Sequence, residues 1–301
     1  MTEVPTTPAP TTSAPPTTTA AEPETTIPSG ILAAMPFQNR LDAPLGIFQV
    51  KLYNGTGDDL DIVGVQLVWA GLTTPVSHRE NRLVAGDRLD YPVPLASANC
   101  VGDGTAASMP DPQQGVVKVS LRDGEVIDVP VFDAKHFAER LYLDDCERQH
   151  IESEVGIEWA DLHEVDLDGR PVTEGVLRIT RRAATTTLTV RGIRNTINFR
   201  FEVIDGHTGD VGVLAPDQST LDVPVRFLEG RCDAHARSES SQPFAFVAEL
   251  DLGDGVQRFL VVSPSLDDQV PMRERIDRAC DLLGTSGFAG EGDASTTSTV
   301  P

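Results

Sequence analysis

Lysine is almost missing from this chain, and positive charge of any kind is scarce. Lysine occurs only at Lys51, Lys118 and Lys135, and the 24 lysines and arginines together face 46 aspartates and glutamates. A formal net charge of -22 repels the phosphates of nucleic acid and the headgroups of an anionic membrane surface. We therefore expect no nucleic acid as a partner.

Long apolar runs and catalytic signatures are missing too. No run of about 18 apolar residues occurs, so direct membrane insertion of this chain is not expected. The sequence has no G-x-S-x-G, S-x-x-K, H-E-x-x-H or G-x-x-x-x-G-K-[ST] pattern, and its 6 histidines are scattered. We expect no enzymatic activity, no catalytic residue and no cofactor.

What the sequence does contain is an internal repeat. Residues 89–94 precede Cys100 at the same spacing at which residues 221–226 precede Cys232. A second match relates residues 60–65 to residues 188–193. Matches of this kind are typical of a tandem duplication, and about 250 ordered residues suit two domains of about 125 residues each.

Composition divides the chain into four segments. Residues 1–30 are rich in threonine and proline, which predicts a disordered stalk, and the glycine, serine and threonine of residues 285–301 predict a disordered tail. Between them we expect a first β-sandwich repeat at residues 31–150 and a second at residues 151–284. Residues 147–154 are the predicted linker.

Apolar and polar residues alternate through both repeats, and turn-forming residues separate the alternating runs. In the first repeat Val63, Val65 and Leu67 are predicted to share one face of a strand. Such alternation is typical of sheets that are buried on one face. The expected fold is mainly all-β, with two tandem immunoglobulin-like β-sandwich domains, each carrying a short C-terminal helix and one internal disulfide.

Prolines and helical periodicity add detail to this fold. Pro92, Pro94 and Pro224 fall inside the repeated motif, and proline cannot donate to a strand ladder, so the motif is predicted to be an edge strand. Apolar residues at helical spacing predict the C-terminal helices at residues 134–146 and 271–283.

The 4 cysteines fall two in each repeat, at equivalent positions. Pairing Cys100 with Cys146 and Cys232 with Cys280 is the connectivity that leaves each repeat self-contained. Such disulfides favour an exported protein. A zinc site is the alternative, although the close-spaced cysteine pairs that zinc sites usually contain are missing.

One loop of the second repeat, residues 231–236, is the candidate functional loop, through Arg231, Asp233 and His235. It resembles a pattern in uncharacterised exported proteins of actinobacteria. The resemblance covers mainly the second repeat, and it implies export but no activity. Our preferred interpretation is that Asp233 caps local amides and His235 fills the loop. A metal site that includes Cys232 is the alternative, and a disulfide would remove its thiolate.

Some acidic residues elsewhere are spaced in part like the ligands of a calcium-binding loop. Glu164, Asp166 and Asp168 alternate as calcium ligands do, but Gly175 stands where the bidentate glutamate is required. Asp168 and the glycine that follows it therefore predict a hairpin turn. Weak calcium binding at the ends of the sandwiches stays open for two other acidic pairs, which are Asp58 with Asp59 and Asp267 with Asp268.

These observations favour a non-enzymatic, exported or surface-tethered binding or structural protein, located outside the cell or in its envelope although no signal segment is visible in this sequence. Its ligand is unknown, and its partner would be a protein or another component of the envelope. One alternative is a hydrolase that uses carboxylates or His235 at a sandwich end. Another is an envelope carrier of small molecules or metals.

Overall fold

The computed structural model describes residues 29–101, 115–133, 135–204 and 209–284. The predicted disordered segments therefore lie outside the described residues, apart from residues 29 and 30. The first half of the chain forms β1 (Leu32–Phe37), β2 (Ile47–Asn54), β3 (Leu60–Trp69), β4 (Leu72–Thr73), β5 (Ser77–Leu83), β6 (Arg88–Pro94), β7 (Val116–Leu121), β8 (Val126–Pro130) and α1 (Phe137–Glu154). The second half forms β9 (Val155–Leu167), β10 (Arg170–Arg181), β11 (Leu188–Arg194), β12 (Phe199–Val203), β13 (Gly212–Leu214), β14 (Thr220–Glu229), α2 (Ala234–Glu239), β15 (Phe246–Asp251), β16 (Gln257–Val262) and α3 (Leu266–Leu282).

Two antiparallel sheets make the first β-sandwich. One sheet has the order β1-β2-β6, and the other has the order β4-β3-β7-β8 with β5 also paired to β3. The alternation in β2 turns Phe48, Val50 and Leu52 inward, and each is fully buried against residues of the opposite sheet such as Leu67. The alternating pattern therefore predicts this core correctly.

The second β-sandwich is built in the same way. Its sheets have the orders β12-β14-β10-β9 and β13-β11-β15-β16. Trp159 of β9 packs edge-on against Phe227 and Phe246, with ring centroids 4.9 and 5.5 Å away. Its indole Nε1 donates to the carbonyl of Val262, 3.0 Å away, which satisfies the polar atom of a buried side chain. The mainly β fold of two sandwiches is confirmed.

A β-bulge changes one predicted face. In β3 the pairing shifts between Ile62 and Gly64, so Val63 leaves the alternation and is only half-buried, while Ile62 is buried in its place. A bulge adds one residue to a strand and thereby reverses the faces on its two sides. Strand β11 has a shift between Val190 and Gly192 at the matching position.

The edge-strand prediction is confirmed in one domain and wrong in the other. Strand β6, with Pro92 and Pro94, ends its sheet, but β14 lies between β12 and β10. Pro224 is tolerated there because it lies one residue beyond the last residue pair between β12 and β14. At this position the carbonyl of Pro224 still accepts a hydrogen bond from the amide of Ile204. Only the reciprocal hydrogen bond of that pair is lost.

Each sandwich is followed by a helix that a disulfide joins to the loop after β6 or β14. Cys100 is bonded to Cys146 of α1, and Cys232 is bonded to Cys280 of α3. The predicted C-terminal helices are confirmed, although Leu283 lies past the end of α3 and is exposed. None of the helices in the described ranges is both long and apolar enough to cross a bilayer.

The predicted linker at residues 147–154 is wrong, because these residues continue α1 without a break. The first half of α1 buries Phe137 and Tyr142 in the first core, and the second half buries Ile151 in the second core. Strand β9 begins at the next residue after the helix. The junction between the sandwiches is thus a helix that belongs to both hydrophobic cores. The predicted boundary between residues 150 and 151 falls inside it.

Candidate functional site

The candidate loop forms the start of α2. Asp233 is the N-cap, and its Oδ1 accepts a hydrogen bond from the amide of Ala236 at 3.0 Å. Its Oδ2 accepts from Nε of Arg231 at 2.9 Å. Both contacts favour the charged carboxylate, and they lower the pKa of Asp233. His235 lies in the first turn with its side chain exposed, and Cys232 is consumed in a disulfide. Asp233 therefore caps local amides, as the preferred interpretation predicts.

The acidic run before Gly169 forms a hairpin, as predicted. Asp168 and Gly169 both have a positive φ, at 54° and 81°, and connect β9 to β10. Oδ1 of Asp166 accepts from the amide of Gly169 at 2.8 Å, which closes the turn. Glu164 instead pairs with Arg278 of α3 at 2.6 Å. Asp166 and the backbone of Asp168 thus form the turn, and Glu164 docks α3.

One carboxylate of each of the other acidic pairs is also engaged locally. Asp59 accepts from Arg82 at 2.8 Å and from the amide of Ala85 at 2.9 Å. Asp268 and Ser265 hydrogen-bond to each other at the start of α3, as in a helix cap. In the ranges that the structure describes, no group of three or more histidine, cysteine, aspartate or glutamate side chains is arranged to hold a metal ion.

A cleft of about 600 Å³ lies where the two sandwiches meet. One wall is the edge strand β16, of which residues 257–261 all line the space. The facing wall is α1 with Leu141 and Asp144, and the floor comes from the first sandwich with Phe48 and Leu72. Apolar walls with a few polar groups are typical of binding sites. No residue predicted as a site from the sequence lies in this cleft.

The arginines of the cleft are held by carboxylates. Arg258 is nearly buried and forms a two-pronged contact with Asp254, in which both N···O distances are 2.7 Å. Its Nε lies 3.0 Å from Oε1 of Glu147. This ion pair joins β16 to α1, but its geometry is not that of a hydrogen bond. Arg148 pairs with Asp145 and with another glutamate on the same helix. The positive charge in the cleft is therefore already balanced.

Asp144 is different from the other charged residues of the cleft. It is exposed at the helix surface, and its carboxylate forms no hydrogen bond and no ion pair with the described residues. Partial desolvation by the cleft raises the pKa of its carboxyl group, and the positive charge of Arg140 acts in the opposite direction. A carboxylate in this situation gains from a cation that enters the cleft. The cleft thus offers apolar walls and one carboxylate that is not held in an ion pair with a described residue.

Two apolar side chains of β16 stand at the mouth of the cleft. Phe259 is 45% exposed and Val261 is 57% exposed. The guanidinium of Arg194 lies 4.6 Å from the ring centroid of Phe259 and leaves much of the ring uncovered. The sequence signal for this site is the apolar residues on the outward positions of a strand, where polar residues are normally expected. Sequence reasoning missed it because the pattern does not show which strand forms the edge.

No protein-family model and no curated protein matches the chain. Among solved structures, red sea bream transglutaminase is 12% identical over 78% of this chain and 31% of that one, with a TM-score of 0.19. The Pseudomonas aeruginosa CupB2 chaperone is 10% identical over 76% of this chain and 95% of that one, with a TM-score of 0.17. Exo-chitosanase CsxA of Amycolatopsis orientalis is 8% identical over 71% and 25%, with a TM-score of 0.19. This chain thus spans about a third of the length of the transglutaminase and about a quarter of the length of the chitosanase. TM-scores this low support no inference about its function.

Proposed function

We propose that this protein is a non-enzymatic binding module that acts outside the cell or at its surface. The two sandwiches, as products of a tandem duplication, form its folded body, and the threonine- and proline-rich residues 1–30 connect that body to the envelope. Its ligand enters the cleft between β16 and α1. The partner is a protein or another component of the envelope.

The observation that carries this proposal is the pair of disulfides. Each one joins the helix of a sandwich to the loop after an equivalent strand, and all 4 cysteines are consumed. Disulfides of this structural kind persist in oxidising compartments and are rare in a reducing cytosol.

The cleft supports a binding function over a catalytic one. Its lining contains apolar side chains and carboxylates, and its arginines are already paired. His235, which the alternative hydrolase would use, lies at the start of α2 and does not line the cleft. The described lining therefore offers a surface for recognition, and no nucleophile and base are held side by side among those lining residues.

Labelling of intact native cells tests the proposal. A membrane-impermeant amine reagent should modify Lys51 or Lys118, which are partly exposed, before the cells are lysed. The protein should then have a mass without reduction that is about 4 Da below that of the reduced form, since each disulfide removes two hydrogens. A cytosolic protein of known abundance serves as the unlabelled control. Four alkylatable thiols in a protein that is labelled only after lysis would contradict the proposal.

A further inference from the structure

The two sandwiches have equivalent edge strands, β8 and β16, that differ in sequence. Strand β8 pairs with β7, and β16 pairs with β15, so each is the last strand of its sheet. In the hairpin of β7 and β8, Asp128 lies opposite Lys118, two residue pairs away from the turn. In the hairpin of β15 and β16, Phe259 lies opposite Glu249, also two residue pairs away from the turn. The strands β8 and β16 are therefore equivalent positions at which the sequence differs.

Strand β8 carries features that protect an edge from pairing. Asp128 is ion-paired with Lys118 at 2.7 Å, and Pro130 follows two residues later. The chain just after β8 is also joined to β1 through a bridge between Val131 and Ala34. Charges and prolines on an edge strand prevent a further strand from adding to it.

Strand β16 carries none of these features on its outward positions. Phe259 and Val261 stand where β8 has Asp128 and Pro130. The carbonyl of Val262 points away from β15, because it accepts from Trp159 of the other sheet. Backbone groups alternate along a strand, so the N–H and C=O groups of Arg258 and Leu260 point away from β15 as well. In the described ranges no strand pairs with that side.

The space beside this edge and its charge define what fits there. The cleft of about 600 Å³ runs along five consecutive residues of β16, which is the length of a short strand. On the opposite wall, Asp144 carries the only cleft carboxylate without an ion pair among the described residues. An added strand would place alternate side chains against Phe259 and toward Asp144.

We infer that the free edge of β16 binds an extended segment of a partner protein as an additional strand, with apolar residues packed on Phe259 and Val261 and a lysine or arginine paired with Asp144. This inference rests on the proposed binding function and adds the chemistry of its ligand. Backbone hydrogen bonds hold the segment, and the side-chain contacts select it. A second copy of this chain is disfavoured as the occupant, since each copy has a formal charge of -22.

A short synthetic peptide tests the inference. The probe is a fluorescein-labelled peptide of about seven residues in which valine and lysine alternate, and its binding to the full chain is measured by anisotropy at about 0.15 M salt. Asp144→Asn should weaken binding about 2- to 5-fold, and Phe259→Thr should have at least as large an effect. Asp217→Asn removes the same charge from an exposed loop residue and should leave the affinity unchanged.

Two further peptides separate strand addition from simple filling of the cleft. Each is methylated on every second backbone nitrogen, one on the valines and one on the lysines. In an added strand only one set of N–H groups faces β16, so one methylated peptide should bind like the parent and the other should lose more than about 10-fold. Equal binding of both would overturn the inference in favour of a cationic amphiphile.

Other outcomes would also overturn it. Failure of the parent peptide to bind, or equal affinity for wild type and both cleft variants, would show that this chemistry or this site is wrong. A wild-type dimer in sedimentation that Phe259→Thr converts to a monomer would show that a second copy covers the edge. Each of these results leaves the proposed location outside the cell standing, because labelling of intact cells and the disulfide mass test that location independently.

Discussion

At the scale of single residues, Asp145 connects α1 to the loop that carries Cys100. Its Oδ2 accepts from the amide of Ala98 and from Gln149, both at 2.7 Å, and its Oδ1 accepts from Arg148. Burial alone raises the pKa of Asp145, but the hydrogen bonds outweigh it, and the pKa is lower than usual. The charged form is therefore the one that stabilises the fold.

This predicts a pH-dependent effect of Asp145→Asn. A carboxylate whose pKa is lowered by folding stabilises the protein above its unfolded pKa of about 3.9, and the stabilisation is lost as the pH falls through the folded pKa. Near pH 7 the variant should lose about 1–2 kcal/mol of unfolding free energy, because the amide cannot satisfy the same donors. Thermal unfolding from pH 7 to pH 3 should show the difference from wild type shrinking.

The exposed Asp217→Asn provides the control, and it should leave the unfolding temperature unchanged across the same pH range. A difference between Asp145→Asn and wild type that stayed constant down to pH 3 would show that the charge is not responsible. The role of Asp145 was not visible in the sequence, since its donors come from residues 47 positions away as well as from its own helix.

At the scale of elements, α1 is the feature that the sequence predicts least well. Its apolar residues indicate a helix up to Cys146, but the continuation is polar apart from Ile151. A mostly polar stretch is typical of a linker, and its helical form is explained by burial of that one side chain in the second core. The error in the linker prediction thus follows from tertiary packing, as does the position of β14 inside its sheet.

Truncation of Ile151 measures this packing. Ile151→Ala should reduce the unfolding free energy of the second sandwich by about 2–4 kcal/mol, because the side chain is fully buried and its removal leaves a cavity. Unfolding in urea, followed by the fluorescence of Trp159, provides the readout. Ile197→Ala, at a position that is 44% exposed, should cost less than about 0.5 kcal/mol. Equal costs at the two positions would show that α1 does not belong to the second core.

At the scale of the whole molecule, each sandwich has its own disulfide and its own tryptophan. Trp69 lies in the first core and Trp159 in the second. The sequence predicts this organisation well, because strand alternation is a local pattern and the cysteines fall at equivalent positions of the two repeats. The cleft could not be predicted in the same way, since it depends on how α1 places one sandwich against the other.

The paired disulfides allow a symmetric test of this organisation. Replacing Cys100 and Cys146 together by serine should lower the unfolding temperature reported by Trp69 more than that reported by Trp159, with Trp159→Phe and Trp69→Phe variants isolating each signal. The chain-entropy model gives about 4 kcal/mol for a loop of this length. Replacing Cys232 and Cys280 should reverse the order. Equal shifts of both signals in either variant would contradict independent stabilisation of the two sandwiches.

The shared helix also has a kinetic consequence for any ligand of the cleft. The walls of the cleft belong to elements that are already packed into the two cores, so binding requires no prior closure of one sandwich on the other. Association should then be a single step, with an observed rate that rises linearly with ligand concentration and reaches no plateau. Differences in affinity among ligands would consequently arise mainly from how slowly each one leaves.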